Sequence, residues 1–225
     1  MKLYTTPQAC SVAAQIALIE LGIDHTVEFV DIYVQPHLVL STMTPYSNIN
    51  PKGAVPALEL DSGELLTEIG VILQYIGDLK PNHGLLPAYG SLARYRVMEW
   101  LSYINSDLHK SIGPLFNPHM PEAGKEIHRQ NINRRLSYIE DQLVGKPYLT
   151  GSNFTVADAY LFVMMGCRPY LKFGFSQYEN LVKFHKQVSG RSSFLQVVEV
   201  NAQVMSRIRL PAFPAGINGE NYEGL

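Results

Sequence analysis

Residues 50–68 read NPKGAVPALELDSGELLTE, and the Val55-Pro56 step at their centre decides how the first part of the chain folds. A proline ahead of the apolar run Ala57, Leu58, Leu60 enters a strand at its first position, where a missing N–H costs least. X–Pro is also the peptide bond with ready access to cis, and a cis bond here turns the chain sharply into the strand. Such a corner leaves the N–H and C=O of Val55 pointing outward as a short edge, to which an extended peptide can pair by main-chain hydrogen bonds. Asp61-Ser62-Gly63 supplies hairpin turn chemistry, and Leu65-Leu66-Thr67 returns as a second strand. Glu68 then stands at the mouth of a helix, where free backbone N–H groups attract an anion. One segment thus combines a peptide edge, a carboxylate suited to an ammonium and an anion site, which together suit a small peptide.

Upstream, Lys2 to Thr5 reads as a strand broken by Pro7. Ser11 to Leu21 is too apolar for a surface helix and too long for a strand, which predicts a mostly buried helix stopped by Gly22. Thr26 to Asp31 alternates, with β-branched residues, as a second strand does. Strand, helix, strand favours parallel pairing through a right-handed crossover. Residues 32–49, with Pro36 and Pro45, read as a loose helix plus loop or as a flap. After the hairpin, a helix from Glu68 to Leu79 turns Ile69, Ile72, Leu73, Tyr75 and Ile76 inward. The order is that of a thioredoxin-like α/β layer.

The segment KPNHGLLPA at 80–88 reads as a linker, and beyond it the strand signal nearly vanishes. Ser91 to Phe116 predicts a long helix broken at Gly113-Pro114. Glu122 to Leu143 predicts another, with Ile127, Ile132, Leu136, Ile139 and Leu143 at helical spacing. Thr155-Val-Ala-Asp158 is a capping box opening an almost wholly apolar helix, the expected buried axis of an all-α C-terminal helical bundle. Asn180–Val188 and Phe194–Val204 complete it, and a tail from Arg207 is expected to run extended over the surface. The expected division is therefore an α/β domain over 1–80, a linker over 81–88 and an all-helical domain over 89–225.

The 225 residues allow one or two domains. A hydrophobic content of 46% and a charged content of 17% are those of a soluble globular chain. No apolar stretch approaches the ~20 residues of a membrane span, and the N-terminus lacks a secretory h-region. Cys10 and Cys167 stand far apart, which fits a reduced, cytoplasmic setting better than a structural disulfide. A net charge of −2 does not imply nucleic acid. Residues 1–80 carry three lysines against nine acidic residues, and residues 81–225 carry fifteen basic against eleven acidic. The two parts should attract, within a subunit or between subunits.

KLYTTPQACS at the start, NPKGAVPAL, LTE at 66–68, DLKP at 78–81 and FTVADAYLF at 154–162 stand in this order over nearly the full chain. In these features the chain resembles the cytosolic glutathione transferases. Cys10 and EWLSYINSDLHK at 99–110 look most like the bacterial beta class. The resemblance implies a thioredoxin-like domain, an all-helical domain, a homodimer, and glutathione as co-substrate held at the residue before a cis-proline, here Val55 before Pro56. It also implies a γ-glutamyl ammonium partner at Glu68, a histidine near the thiol site at His109, and contacts from Ser102 and Asp107 to glutathione in the neighbouring subunit. Ile69 departs from the pattern: a serine or small residue is usual there, so the backbone N–H remains but a hydroxyl for the γ-glutamyl carboxylate does not. Gln35 and His37 fall where a basic residue is common. Lys52 is placed to meet the glycine carboxylate.

Conjugation needs the glutathione sulfur as an anion. Lowering a thiol pKa by about 2 units takes roughly 2.7 kcal/mol of preference for the anion, within reach of one good donor plus a helix terminus. Cys10 sits at the start of the buried helix, where the dipole and free N–H groups favour a thiolate. Ser11 is a second candidate, its hydroxyl either bonding the glutathione thiolate or capping the helix. With no second cysteine nearby, a mixed disulfide with glutathione is the natural covalent state. The wall facing the thiol is expected from Tyr103, Leu108, Ile112, Phe116, and Met164 or Tyr170, an apolar pocket for a small hydrophobic electrophile. The histidines show no metal-ligand spacing with the cysteines, so no metal is expected. The primary expectation is glutathione conjugation. The alternatives are a glutathione-dependent thiol–disulfide oxidoreductase using Cys10, or a non-catalytic ligand-binding protein of the same fold.

Overall fold

The computed structural model describes residues 1–172 and 174–208, the side chains of Cys167, Pro169 and Tyr170 excepted. The expected tail beyond Arg207 lies almost wholly outside these residues. So do the expected roles of the Cys167 and Tyr170 side chains.

Strand β1 (Lys2–Thr5) leads through α1 (Val12–Glu20) to β2 (Thr26–Asp31), parallel to β1 with Leu3 opposite Val27. Gly22 ends the helical turn with φ +57, a left-handed conformation that costs glycine nothing. The hairpin β5 (Ala57–Glu59) and β6 (Leu65–Thr67) joins β1 on its other side, antiparallel, and α2 (Ile69–Leu79) follows. The segment expected to be loose is ordered instead. Two-residue strands β3 (Leu38–Val39) and β4 (Thr44–Pro45) extend the sheet to β4-β3-β2-β1-β5-β6, and a 3-10 turn covers Tyr46–Asn48. Leu40, after β3, packs with Val204 and Ile208, and Arg207 donates to its carbonyl at 2.9 Å, so contacts distant in sequence fix this segment.

The helical layer begins with α3 (Leu92–Tyr103), which widens into a π turn over Ile104–His109 before α4 (Lys110–Ile112) and a 3-10 turn over Gly113–Phe116. The expected single helix is thus three kinds of helix in series. Then come α5 (Glu122–Gln142), α6 (Val156–Met164), α7 (Glu179–Ser189) and α8 (Ser192–Ala202). Ile132, Leu136, Ile139 and Leu143 are buried as their spacing predicts. Ile127 is not: it is 60% exposed, one turn before the buried stripe begins. Every residue of α6 is buried, making it the axis of this layer.

Helix α1 packs on α2 of its own layer and on α6 and α8 of the helical layer. The expected attraction between the two parts of the chain takes the form of two bidentate ion pairs. Arg94 grips Asp78 at 2.7 and 2.8 Å, and Arg191 grips Glu20 at 2.8 Å on both oxygens. Leu85 and Leu86, in the expected linker, are buried in the main core.

Thr155 and Asp158 form the expected capping box. The Asp158 carboxylate accepts the Thr155 N–H at 2.9 Å, the Thr155 hydroxyl at 2.7 Å and, from outside the helix, the Leu149 N–H at 2.8 Å. It is fully buried, so two backbone donors have no water to fall back on. Thr155→Ala should cost about 1 kcal/mol, whereas Asp158→Ala, which orphans both N–H groups, should cost on the order of 3 kcal/mol. Denaturant unfolding of the two variants checks this order, and equal losses would deny the carboxylate its central place.

Candidate active site

The Val55–Pro56 peptide is cis, and a second cis bond precedes Pro36. The loop before the corner is tied down by its own polar groups. Asn50, buried, accepts from the Lys52 N–H at 3.1 Å and donates to the Ala54 carbonyl at 2.7 Å, where the Tyr46 hydroxyl also bonds at 3.2 Å. Gly53 adopts φ +70, which a Cβ would strain, and its carbonyl meets His37 Nδ1 at 3.0 Å. Pro56 is buried and stands immediately before β5, while Val55 stays half-exposed. Among the described residues the Val55 N–H donates to nothing, and its carbonyl receives the Cys10 thiol at 3.4 Å.

Beside this corner opens a cavity of about 790 Å³ between the two layers. Lys52, Gly53, Ala54 and Val55 border it on one side, Gln8, Ala9 and Cys10 at the start of α1, and His109 on the π turn. The opposite wall is apolar: Ile112, Phe116, Met164, Phe194, Val197 and Met205. Of the expected wall, Ile112, Phe116 and Met164 are present. Leu108 is instead in the core, and Tyr103 stacks edge-on against Trp100 and Tyr138 elsewhere. The contribution of α8 was not anticipated. Its period is as legible as any other, but nothing local says that its C-terminal half crosses back over the start of α1.

The thiol of Cys10 reaches the cavity, and its surroundings disfavour the thiolate expected at a helix start. Burial pushes its pKa up to about 12, outweighing the lowering by backbone N–H groups of Cys10 and Ser11, and Glu68 adds to the rise. Ser11 is a clearer correction. Its hydroxyl is fully buried, accepts from Thr5 Oγ1 at 2.8 Å and the Thr6 N–H at 3.2 Å, and donates to the Thr6 carbonyl at 3.3 Å. It neither caps α1 nor faces the cavity. It stitches the loop between β1 and α1, because a small hydroxyl beside a strand end satisfies otherwise unpaired backbone.

Glu68 precedes α2 with φ +71 and ψ 113, an uncommon backbone for a residue with a Cβ, of the kind that collects at functional sites. Its carboxylate pairs with Lys52 Nζ at 2.8 Å, and Lys52 also donates to Thr67 Oγ1 at 3.0 Å. Both side chains are more than half exposed, so the pair is worth at most about 1 kcal/mol and opens readily. The Ile69 side chain is buried in the core, leaving only its N–H at the helix mouth. Ser102 is exposed and Asp107 half-exposed. Asp107 accepts from Ser106 at 2.8 Å and Arg135 at 3.3 Å, and neither Ser102 nor Asp107 borders this cavity.

His109 borders the cavity with its Nδ1 at 2.7 Å from the Tyr160 hydroxyl. Burial, with the Lys110 charge in addition, holds its pKa below the ordinary imidazole value, so the ring is neutral at neutral pH.

A sheet layer with a cis-proline corner facing an all-helical layer across an apolar cavity defines a class. The family description "Glutathione S-transferase, N-terminal domain" matches residues 9–79, and "Glutathione S-transferase, C-terminal domain" matches residues 100–192. The glutathione S-transferase GstA of Escherichia coli is 39% identical over 191 residues, 85% of this chain and 94% of that one. A sphingomonad glutathione S-transferase complexed with glutathione superposes with a TM-score of 0.84 at 37% identity, over 90% of this chain and 99% of its own. A bacterial beta class enzyme from Sphingomonas chungbukensis does so with a TM-score of 0.84 at 38%, over 89% and 98%. The chain belongs to the glutathione S-transferase family, and its structural neighbours include the bacterial beta class.

The protonation state of Cys10 is directly measurable. Alkylation by iodoacetamide, followed on the Cys10 peptide by mass spectrometry, should be slow at neutral pH. Its rate should still be rising beyond the ordinary thiol value near ~8.5. A rate that levels off below that value would mean a stabilised thiolate instead.

Proposed function

We propose that this glutathione transferase conjugates the thiol of glutathione to small hydrophobic electrophiles in the cavity beside Val55. The observation that carries the reading is the main-chain edge of Val55, open on the same cavity that Cys10, His109 and Lys52 border. The cysteinyl unit of the tripeptide pairs with the Val55 N–H and C=O in β fashion. The Lys52–Glu68 pair opens, Glu68 taking the γ-glutamyl ammonium and Lys52 the glycine carboxylate. One solvated ion pair is exchanged for two charge-assisted contacts to the peptide. The γ-glutamyl carboxylate meets the N–H groups at the mouth of α2, with no hydroxyl from Ile69.

The thiol then points into the cavity toward His109, whose neutral ring accepts its proton as the sulfur attacks the electrophile. Ile112, Phe116, Phe194 and Val197 offer an apolar surface that holds the electrophile and keeps water from the sulfur. Cys10, whose thiol is kept from ionising by its burial, serves as a neutral neighbour of the sulfur rather than as the nucleophile. The working protein is a cytoplasmic homodimer in which Ser102 and Asp107 reach the glutathione of the adjacent subunit. Val71 and Tyr95, exposed apolar residues on α2 and α3, support an interface there. The units are 1–80 and 89–225 joined by 81–88, as the end of α2 at Leu79 and the start of α3 at Leu92 support.

Calorimetric titration with glutathione tests the reading. The expected dissociation constant is millimolar or tighter, and Glu68→Gln should weaken it about tenfold, the loss of one charge-assisted contact. Binding weaker than millimolar would leave a non-catalytic protein of this fold. Cys10→Ala separates the two chemistries. Conjugation should survive it, whereas an enzyme reducing glutathione mixed disulfides through Cys10 would lose all activity.

A further inference from the structure

Tyr160 is the one polar side chain of the buried α6 axis whose hydroxyl reaches the element bordering the cavity. It is fully buried, and burial drives its own pKa well above the usual phenol value, so it stays a neutral hydroxyl. That hydroxyl lies between two groups on the π turn: Asn105 Oδ1 at 3.1 Å and His109 Nδ1 at 2.7 Å. The rings of Tyr160 and His109 meet edge-on at 5.9 Å, which fixes the plane of the imidazole as well as one of its corners.

A phenol has one proton to donate. Directed to Asn105 Oδ1, it leaves the Tyr160 oxygen as the acceptor for His109, so His109 must carry its proton on Nδ1. The other nitrogen, Nε2, is then a bare lone pair on the ring edge away from Tyr160. The π turn matters here. Asn105 and His109, four residues apart, lie on the face of this turn that meets the one hydroxyl, and such turns recur at functional sites.

We propose that Tyr160 and Asn105 are positioning residues that fix His109 as its Nδ1–H tautomer, presenting an unprotonated Nε2 to the cavity. This rests on the glutathione-transferase reading and names the groups that set up its proton acceptor. The thiol proton passes to Nε2, the S–H electron pair stays on sulfur and forms the bond to the electrophilic carbon, and the leaving group departs with its own bonding pair. The imidazolium then returns its proton to solvent. With the opposite tautomer Nε2 already holds a hydrogen and has no lone pair to accept another.

The test reads the tautomer directly. Long-range proton–nitrogen spectra of protein labelled with nitrogen-15 histidine, with the His109 signal assigned by its absence in His109→Gln, should show the Nδ1–H form. Asn105→Ala frees the Tyr160 proton to turn toward His109 and should shift the ring to the Nε2–H form. Tyr160→Phe should leave a mixture. Both variants should lower kcat for a chlorodinitrobenzene on the order of tenfold or more, with KM for glutathione within about twofold. An Nε2–H ring in the unmodified protein overturns the proposal. So does an unchanged kcat in folded variants whose tautomer has shifted, or an unchanged tautomer in both. The spectra need no glutathione, so failure of the transferase reading itself would show separately, as absent binding in the titration.

Discussion

The site exists because α1 is held from both sides. Ala13, Ala14 and Ala17 are fully buried, and such small side chains let neighbouring elements approach closely. Its C-terminal end is pinned. Glu20 is taken by Arg191 and Ser193 at the start of α8, and Lys80 donates to the carbonyls of Leu21 and Gly22, a cation where the helix dipole is negative. With that end fixed to both layers, the other end has no freedom of position. Cys10 emerges where the Val55 corner, the π turn and the end of α8 converge, and the cavity is the space these elements leave. A Glu20 or Arg191 without its partner would leave a partly buried charge uncompensated, so the clamp is costly to break once formed.

Much of this could be read from local chemistry. The burial of α1 and α6, the capping box at Thr155 and Asp158, and the proline corner each follow from residues within a few positions of one another. What escaped was decided by contacts distant in sequence. β3 and β4 are two residues each, too short for any period. They exist because β2 offers an edge and because Val204 and Ile208 cover Leu40. Ser11 looks like a capping or catalytic hydroxyl from its position. The end of β1 claims it instead, through Thr5 and Thr6. Cys10 shows most plainly why position is insufficient. The helix start does lower its pKa, as argued from sequence, but desolvation by α1's own neighbours is larger and opposite.

Apart from the Val55 N–H, several polar groups of the site are matched among themselves before any ligand arrives. Lys52 holds Glu68, the Cys10 thiol rests on the Val55 carbonyl, and His37 meets the Gly53 carbonyl. A peptide therefore replaces contacts instead of burying bare charges, and net affinity comes from the difference between the two sets. This favours modest affinity, since each exchange of one hydrogen bond for another is worth about 1 kcal/mol.

The two faces of the cavity differ in kind, and that difference decides what each can select. On the proposed reading the peptide side combines main chain, the Val55 edge and the N–H groups at the mouth of α2, with the charged side chains of Lys52 and Glu68. A main-chain edge is blind to most side-chain substitutions, so on that reading part of the tripeptide's recognition depends on the backbone alone. The opposite side, which that reading gives to the electrophile, is made of apolar side chains, chiefly on α8 and the turn after α4. Apolar contact discriminates weakly, about 1–3 kcal/mol per methylene, and side chains can change without disturbing the sheet. His109 lies between these faces, and its Nδ1 partner comes from α6, the most deeply buried element of the helical layer. On the proposed reading the proton acceptor is thereby tied to the most buried helix, while the apolar surface belongs chiefly to α8 and the turn after α4. The group that takes the proton and the groups that meet the electrophile therefore belong, on that reading, to different elements.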